Sequence, residues 1–264
     1  MLLPTWQREL GSAGEQNRAR GRSVDFDRLS TFLSYIASLP ESGRLTRERL
    51  LDERFRLYSE GNLEVYYAPF DYIKTDAKLC TVGITPVWTQ MGIAYRVARE
   101  GLARGQSIER ISSEIKQTAS FAGSMRTSLI GMLNELYLPS VLGVSSSAAL
   151  FDVQHYVTHT TSAIRYPVFV DGENYTGHHP RILKHAKLKE FNRHALCGRV
   201  DAGFRGSGYS CGSAVSQALE YLVLNKQLEV ERRLLDFPHP SGANGYRKRH
   251  FEVKKGLLKS KVLN

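Results

Sequence analysis

Apolar residues recur along the early part of the chain at helical steps. Phe26, Leu29, Phe32, Leu33, Ile36 and Leu39 fall three or four positions apart until Pro40 breaks the run, so the spacing predicts an amphipathic helix over 24–39. A second helix is predicted from Thr46 as N-cap, through Leu51, Phe55 and Leu57, to Gly61. Residues 1–22 are polar, rich in Gly, Arg and Gln, and aperiodic, which predicts an arm without a core of its own. Farther on the period changes. Residues 77–83 have strand character and stop at Ile84-Thr85-Pro86. Helical patterns follow over 90–104, 108–118 and 129–136, then a β-branched and aromatic strand over 152–161. The basic stretch over 175–193 reads as a solvated helix face. A glycine-rich strand over 202–212 leads to an amphipathic helix over 214–223, and a last strand covers 232–237.

Strands alternating with helices predict an α/β fold. Its expected form is a three-layer sandwich with a central, mostly parallel four-stranded sheet flanked by helices, plus an N-terminal helical segment. The predicted plan is a flexible arm at 1–22 and a single domain over 23–264, which includes a helical prelude at 23–70. A chain of 264 residues with 42% hydrophobic content is large enough for such a core. The formal net charge of +10 favours phosphate backbones or other anionic partners. No apolar run approaches the roughly 20 residues of a membrane helix. The opening Met1-Leu2-Leu3-Pro4 is too short for a secretory signal, so a cytoplasmic protein with no membrane partner is expected. Cys80, Cys197 and Cys211 are odd in number and lack C-x-x-C spacing, which predicts reduced structural thiols.

Loops that follow parallel strands gather at one edge of a sheet. Gly83-Ile84-Thr85-Pro86, His159-Thr160-Thr161, Gly212-Ser213 and His239-Pro240-Ser241 are therefore expected to converge. The last of these is the most informative. An apolar strand stops at Pro238-His239-Pro240, a small loop carries Ser241 and Asn244, and Tyr246-Arg247-Lys248-Arg249-His250 adds a ring and three fixed cations. G-I-T-P after one strand and H-P-S after the last resemble the first and last motifs of the uracil-DNA glycosylase superfamily, over about 79–252.

That resemblance implies a monofunctional DNA glycosylase. The base of single- or double-stranded DNA would be flipped out and its N-glycosidic bond hydrolysed by water to leave an abasic site. Neither motif holds a lysine that would make it a lyase, and no metal or redox cofactor is expected. His239 would hydrogen-bond the base oxygen that gains charge, and Thr85 stands where the superfamily has an Asp or Asn that positions water. Ser241 would hold a phosphate, as would Gly212 and Ser213 at the turn after the third strand. Asn244 or Tyr246 would be the wedge, with Arg247 and Lys248 on the DNA backbone. The implied base pocket comprises Ile84, Val87, Trp88, Gln90, His159 and Thr160. Val87 replaces an aromatic residue and leaves room at the pyrimidine C5 position. Trp88 is the stacking candidate, and Gln90 resembles a pocket glutamine of the single-strand-selective branch. His159, with Thr160 beside it, replaces the asparagine that reads the Watson–Crick edge. A widened pocket of this kind suits a bulky C5-modified pyrimidine of phage DNA better than plain uracil.

Thr85 cannot serve as a charged base at neutral pH. Either it only orients water, or a carboxylate from another loop serves, with Asp171, Glu173 and Asp236 nearest by sequence and Asp152 too early in its strand. Two further readings stay open. One is a nucleic-acid or modified-base binder that does not cleave; the other is a serine hydrolase using Ser210 in Gly208-x-Ser210-x-Gly212. His155 and His159, four apart, could join His178 or His179 around a metal, but no carboxylate or cysteine shares their spacing, so no metal is expected. A monomer is expected.

Overall fold

Both periods find their elements, but in two sheets rather than one. The computed structural model describes residues 26–40, 43, 45–201, 207–228, 233–241 and 245–263. In chain order the elements are α1 (Phe26–Ala37), α2 (Arg47–Leu50), β1 (Arg56–Glu60), β2 (Leu63–Tyr66), β3 (Leu79–Gly83), α3 (Trp88–Ala103), α4 (Ile108–Ala119), α5 (Ser124–Glu135) and α6 (Leu138–Leu142). There follow β4 (Thr158–Ser162), β5 (Val168–Val170), β6 (Glu173–Asn174), α7 (Ala186–Asp201), β7 (Ser207–Cys211), α8 (Ser213–Leu224), β8 (Arg233–Phe237) and α9 (Arg247–Leu263). The arm predicted at 1–22 lies outside the described residues.

The described residues up to Ile73, with Val87–Ala119 and Tyr166–Asn174, form one unit. Its sheet is antiparallel, in the order β1-β2-β5-β6. The helix predicted from Thr46 to Gly61 is a single turn, α2, and the chain then makes a β-hairpin. Glu60 pairs with Leu63 across a two-residue Gly61-Asn62 turn, with Gly61 at φ +59°. Such a turn between alternating residues, here Leu63-Glu64-Val65, selects a hairpin over a helix. Aromatic rings fill the interior: Phe32 stacks on Tyr67 at 3.9 Å between centroids, and Phe55 meets Tyr95 at 4.9 Å. Among them lies Asp71, 3% exposed, whose carboxylate accepts from the hydroxyls of Tyr67 (2.8 Å) and Tyr166 (2.6 Å). A buried carboxylate without donors would cost several kcal/mol, so these two hydroxyls make the burial tolerable.

The second unit comprises Lys74–Pro86, Ser120–Arg165 and the described part of Tyr175–Asn264. Its four strands are all parallel, in the order β4-β3-β7-β8. β3 is buried along its whole length, as a strand flanked by β4 and β7 must be, which explains why Leu-Cys-Thr-Val-Gly has no polar face. Leu79, Leu129, Leu133, Phe151, Cys211 and Phe237 lie in one core cluster, joined by Phe251, Leu258 and Val262 from α9. The basic run after Tyr246, expected as a loop, is the first turn of this helix, because Phe251, Leu258 and Val262 recur at helical spacing and anchor it.

Mixed α/β character is thus as expected, whereas the single central sheet with an all-helical prelude is not what the chain builds. Half of the described strands lie in the antiparallel sheet. One boundary also moves. The strand expected over 152–161 begins only at Thr158, because His155–Val157 form a 3-10 turn. Among the described residues, no helix is long and apolar enough to cross a membrane.

Candidate active site

Strand register sets which residues reach the edge of the parallel sheet. Gly83 is level with Ser162, Val82 with Ser210, and Cys211 with Phe237. The loops after β3, β7 and β8 therefore leave from a common edge. With neighbouring strands about 4.8 Å apart, the roots of the Gly83–Pro86 and His239–Ser241 loops are about 10 Å apart.

His239 is the best-defined group there. The backbone N–H of Ser241 donates to its Nδ1 at 3.3 Å, which leaves the proton of the neutral ring on Nε2. Burial pulls its pKa from the usual 6.5 down to about 4, so the ring is neutral at physiological pH. Its side chain lies against Gly212, where an added Cβ would sit 3.4 Å from the His239 Cβ. Gly212 is at φ +99° and links β7 to α8. The loop is braced from behind: one guanidinium nitrogen of Arg247 donates to the carbonyls of Pro240 (2.9 Å) and Ser241 (2.7 Å). Arg247 thus holds the loop, a role different from the DNA contact expected of it. Lys248 and Tyr246 are exposed, and Asn244 lies outside the described residues. Ser213 is exposed in the first turn of α8.

On the β3 side, Thr85 is buried and the Ile84 carbonyl accepts from the N–H of Ile164 at 3.0 Å. The Phe121 ring packs over Gly83, 3.5 Å from where a side chain would begin. Phe121 has φ +52°, a left-handed conformation that a bulky residue adopts only under constraint. The constraint is visible: Arg126 donates twice to the Ser120 carbonyl (3.1 and 2.7 Å), and Thr160 donates to the Ser120 hydroxyl at 2.6 Å. Thr160 therefore supports this turn. His159, 2% exposed, takes the N–H of Lys74 on Nδ1 at 3.4 Å. Both lie inside β4, level with Cys80 and Thr81, so the later start of the strand places Ser162, not His159, beside Gly83.

Sequence similarity identifies relatives without adding chemistry. The chain is 38% identical over 240 residues to the protein YoxB of Bacillus subtilis (strain 168), covering 89% of this chain and 91% of that one. The chain belongs to the YoxB family. No family model matches it, and no solved structure does.

In this YoxB-family chain the remaining expected pocket residues sit in the unit with the antiparallel sheet. Gln90 accepts the N–H of Val87 at 3.0 Å and so closes the start of α3, which commits its amide oxygen. The Trp88 N–H donates to Asn174 at 2.7 Å, and the Arg47 guanidinium lies 5.4 Å from the centre of its ring, so one indole face is covered. Two of the alternative carboxylates, Asp171 and Glu173, belong to that same unit, beside Asn62 and Arg47 respectively. The third, Asp236, is exposed and lies 3.6 Å from Lys254.

The serine-hydrolase reading fails on geometry. Its elbow needs the serine on the turn between strand and helix, but Ser210 lies within β7 opposite Val82, and the turn residue is Gly212. Among the described residues, no group of three or more His, Cys, Asp or Glu side chains is placed to hold a metal ion. Sequence reasoning missed Phe121, Arg126 and Asn192. Asn192 is fully buried on α7, donates to the Ala163 carbonyl at 2.9 Å, and its Oδ1 meets no donor among the described residues. A polar residue amid Leu188, Ala195 and Leu196 on a buried helix face was the available signal.

Proposed function

We propose that the edge of the parallel sheet is the active site of a monofunctional DNA glycosylase acting on a damaged or modified base. The carrying observation is His239: a neutral imidazole in one tautomer, with Nδ1 tied to the backbone and a donor on Nε2. In the proposed step, water adds to the sugar C1′ while the C1′–N bond breaks. The bonding electron pair leaves with the base, and a water proton ends on the departing base. Charge gathers on a base oxygen as this happens. A fixed neutral donor stabilises that charge more than it does the ground-state carbonyl, which is worth about 100- to 1,000-fold in rate. Thr85, at the opposite loop, has a hydroxyl suited to orienting water but not to removing its proton. The leaving group must then carry the catalysis, which favours a base whose anion is well stabilised.

The experiment is to incubate the protein with DNAs bearing uracil, mismatches and C5-modified pyrimidines, and to detect released base by mass spectrometry. We expect release from at least one DNA, with alkali-labile sites left behind. His239→Gln is expected to lower release about 100-fold or more while DNA affinity stays near that of the parent. If every DNA stays intact, what remains is a binding protein.

A further inference from the structure

α9 begins where the last motif ends and keeps one side out of the core. Phe251, Leu258 and Val262 mark its buried side. At about 100° per residue, Tyr246, His250, Val253 and Leu257 fall on the side turned away. Tyr246 is 68% exposed, Val253 79% and Leu257 61%. The rings of Tyr246 and His250 lie nearly parallel, 21° apart, with centroids separated by 6.0 Å. The helix carries seven Lys and Arg residues against the single carboxylate of Glu252. Several of these cations are engaged: Arg247 by loop carbonyls, Lys254 by Asp236, Lys255 by Glu135, and Lys259 over the Tyr137 ring. Lys248 and Arg249 are exposed and form no ion pair among the described residues.

We propose that the first turns of α9 form a stacking platform for an unpaired stretch of single-stranded DNA. Tyr246 and His250 would present a ring face to a base, and Lys248 and Arg249 would meet the flanking phosphates. The placement beside the His239 loop rests on the glycosylase reading. Base faces are covered in a duplex, so exposed parallel rings beside unpaired cations recognise the unpaired strand. Val253 and Leu257 extend the strip for apolar contact with sugars and bases. A second copy fits this side poorly, because pairing two such helices would bring Arg249, Lys254 and Lys261 against their own kind.

The test is fluorescence anisotropy of the full chain with a labelled oligonucleotide, free and annealed to its complement, over a range of salt. Tyr246→Ala/His250→Ala is expected to weaken single-strand binding about tenfold or more, to leave duplex binding within about threefold, and to leave the salt slope unchanged. Lys248→Ala/Arg249→Ala is expected to reduce the slope of log affinity against log salt by about 1.4 on the single strand. Equal loss on both forms, or loss on neither, overturns the proposal. So does a dimer that Leu257→Asp dissociates in sedimentation, or binding to phosphatidylserine vesicles that Leu257→Asp abolishes while single-strand binding is untouched by the aromatic changes. Base release, read in parallel, separates the two ideas. No release with platform-dependent binding removes the glycosylase and keeps the platform; release with platform-independent binding does the reverse.

Discussion

In the unit built on the antiparallel sheet, Asp71 is buried with its carboxyl oxygens accepting from two tyrosine hydroxyls. At the edge of the parallel sheet, His239 is half-buried, with one ring nitrogen held by a backbone N–H. The first arrangement ties two segments of chain together, since Tyr67 and Asp71 lie four residues apart and Tyr166 comes from a distant part of the sequence. The second fixes a tautomer. An ionisable group surrounded by matched side-chain donors is a structural junction. One that has shed its charge on burial and keeps a donor is suited to meeting charge that appears only during a reaction.

The largest expected effect is at Asp71. Asp71→Ala leaves two tyrosine hydroxyls buried without their acceptor, and we expect it to cost about 2–5 kcal/mol in urea unfolding. Asp71→Asn, which keeps an accepting oxygen, should cost less. Loss of base release in a stable Asp71→Ala protein would instead make Asp71 part of the chemistry. At His239 the effect depends on pH. The folded ring takes up a proton only near pH 4, while the unfolded chain does so near 6.5. The unfolded state thus binds more protons between those values. Stability from this group is full above about pH 6.5 and falls by about 2–3 kcal/mol as pH drops to about 4, with no further change below. Urea midpoints measured from pH 7 to 4 should show this decline, and His239→Gln should flatten it.

How far these features could be read from sequence follows from how local they are. The Pro238-His239-Pro240 corner after an apolar run is local, and the histidine does leave the end of β8. The parallel strands β3 and β8 were also legible, since each is a short, largely apolar run closed by glycine or proline, whereas β7 is Ser-Gly-Tyr-Ser-Cys and has no such run. The hairpin was not, because Leu51, Phe55 and Leu57 fit a helical period that Tyr58, Leu63 and Val65 then contradict. His159 and Thr160 were misplaced along their strand because aromatic and β-branched composition cannot distinguish the 3-10 turn at His155–Val157 from strand. Phe121 and Arg126 depend on contacts with Gly83, Ser120 and Phe151 that no spacing announces.

A smaller effect is expected at Arg247, which braces the His239 loop. Arg247→Ala removes a charged donor from two loop carbonyls, and we expect about 1.5–3 kcal/mol of destabilisation together with a lower turnover number. Arg247→Lys should recover part of both, since an ammonium reaches a carbonyl but cannot reproduce the guanidinium geometry. If the salt dependence of DNA binding changes instead and stability does not, Arg247 belongs to the DNA surface.

The smallest effects come from two glycines that each sheet uses differently. Gly61 turns the antiparallel hairpin at φ +59° with open space around it, while Gly212 turns the parallel strand β7 into α8 at φ +99° with His239 against it. Alanine at either position carries a backbone cost of about 1 kcal/mol. The stability losses should therefore be similar, and the functional consequences should not. Gly61→Ala has no neighbour to disturb and should leave base release unchanged. Gly212→Ala places a methyl in contact with the His239 side chain, so it should lower turnover and shift the ring's titration midpoint, measured by NMR. Equal turnover in the two variants would mean that the contact between Gly212 and His239 does not position the ring.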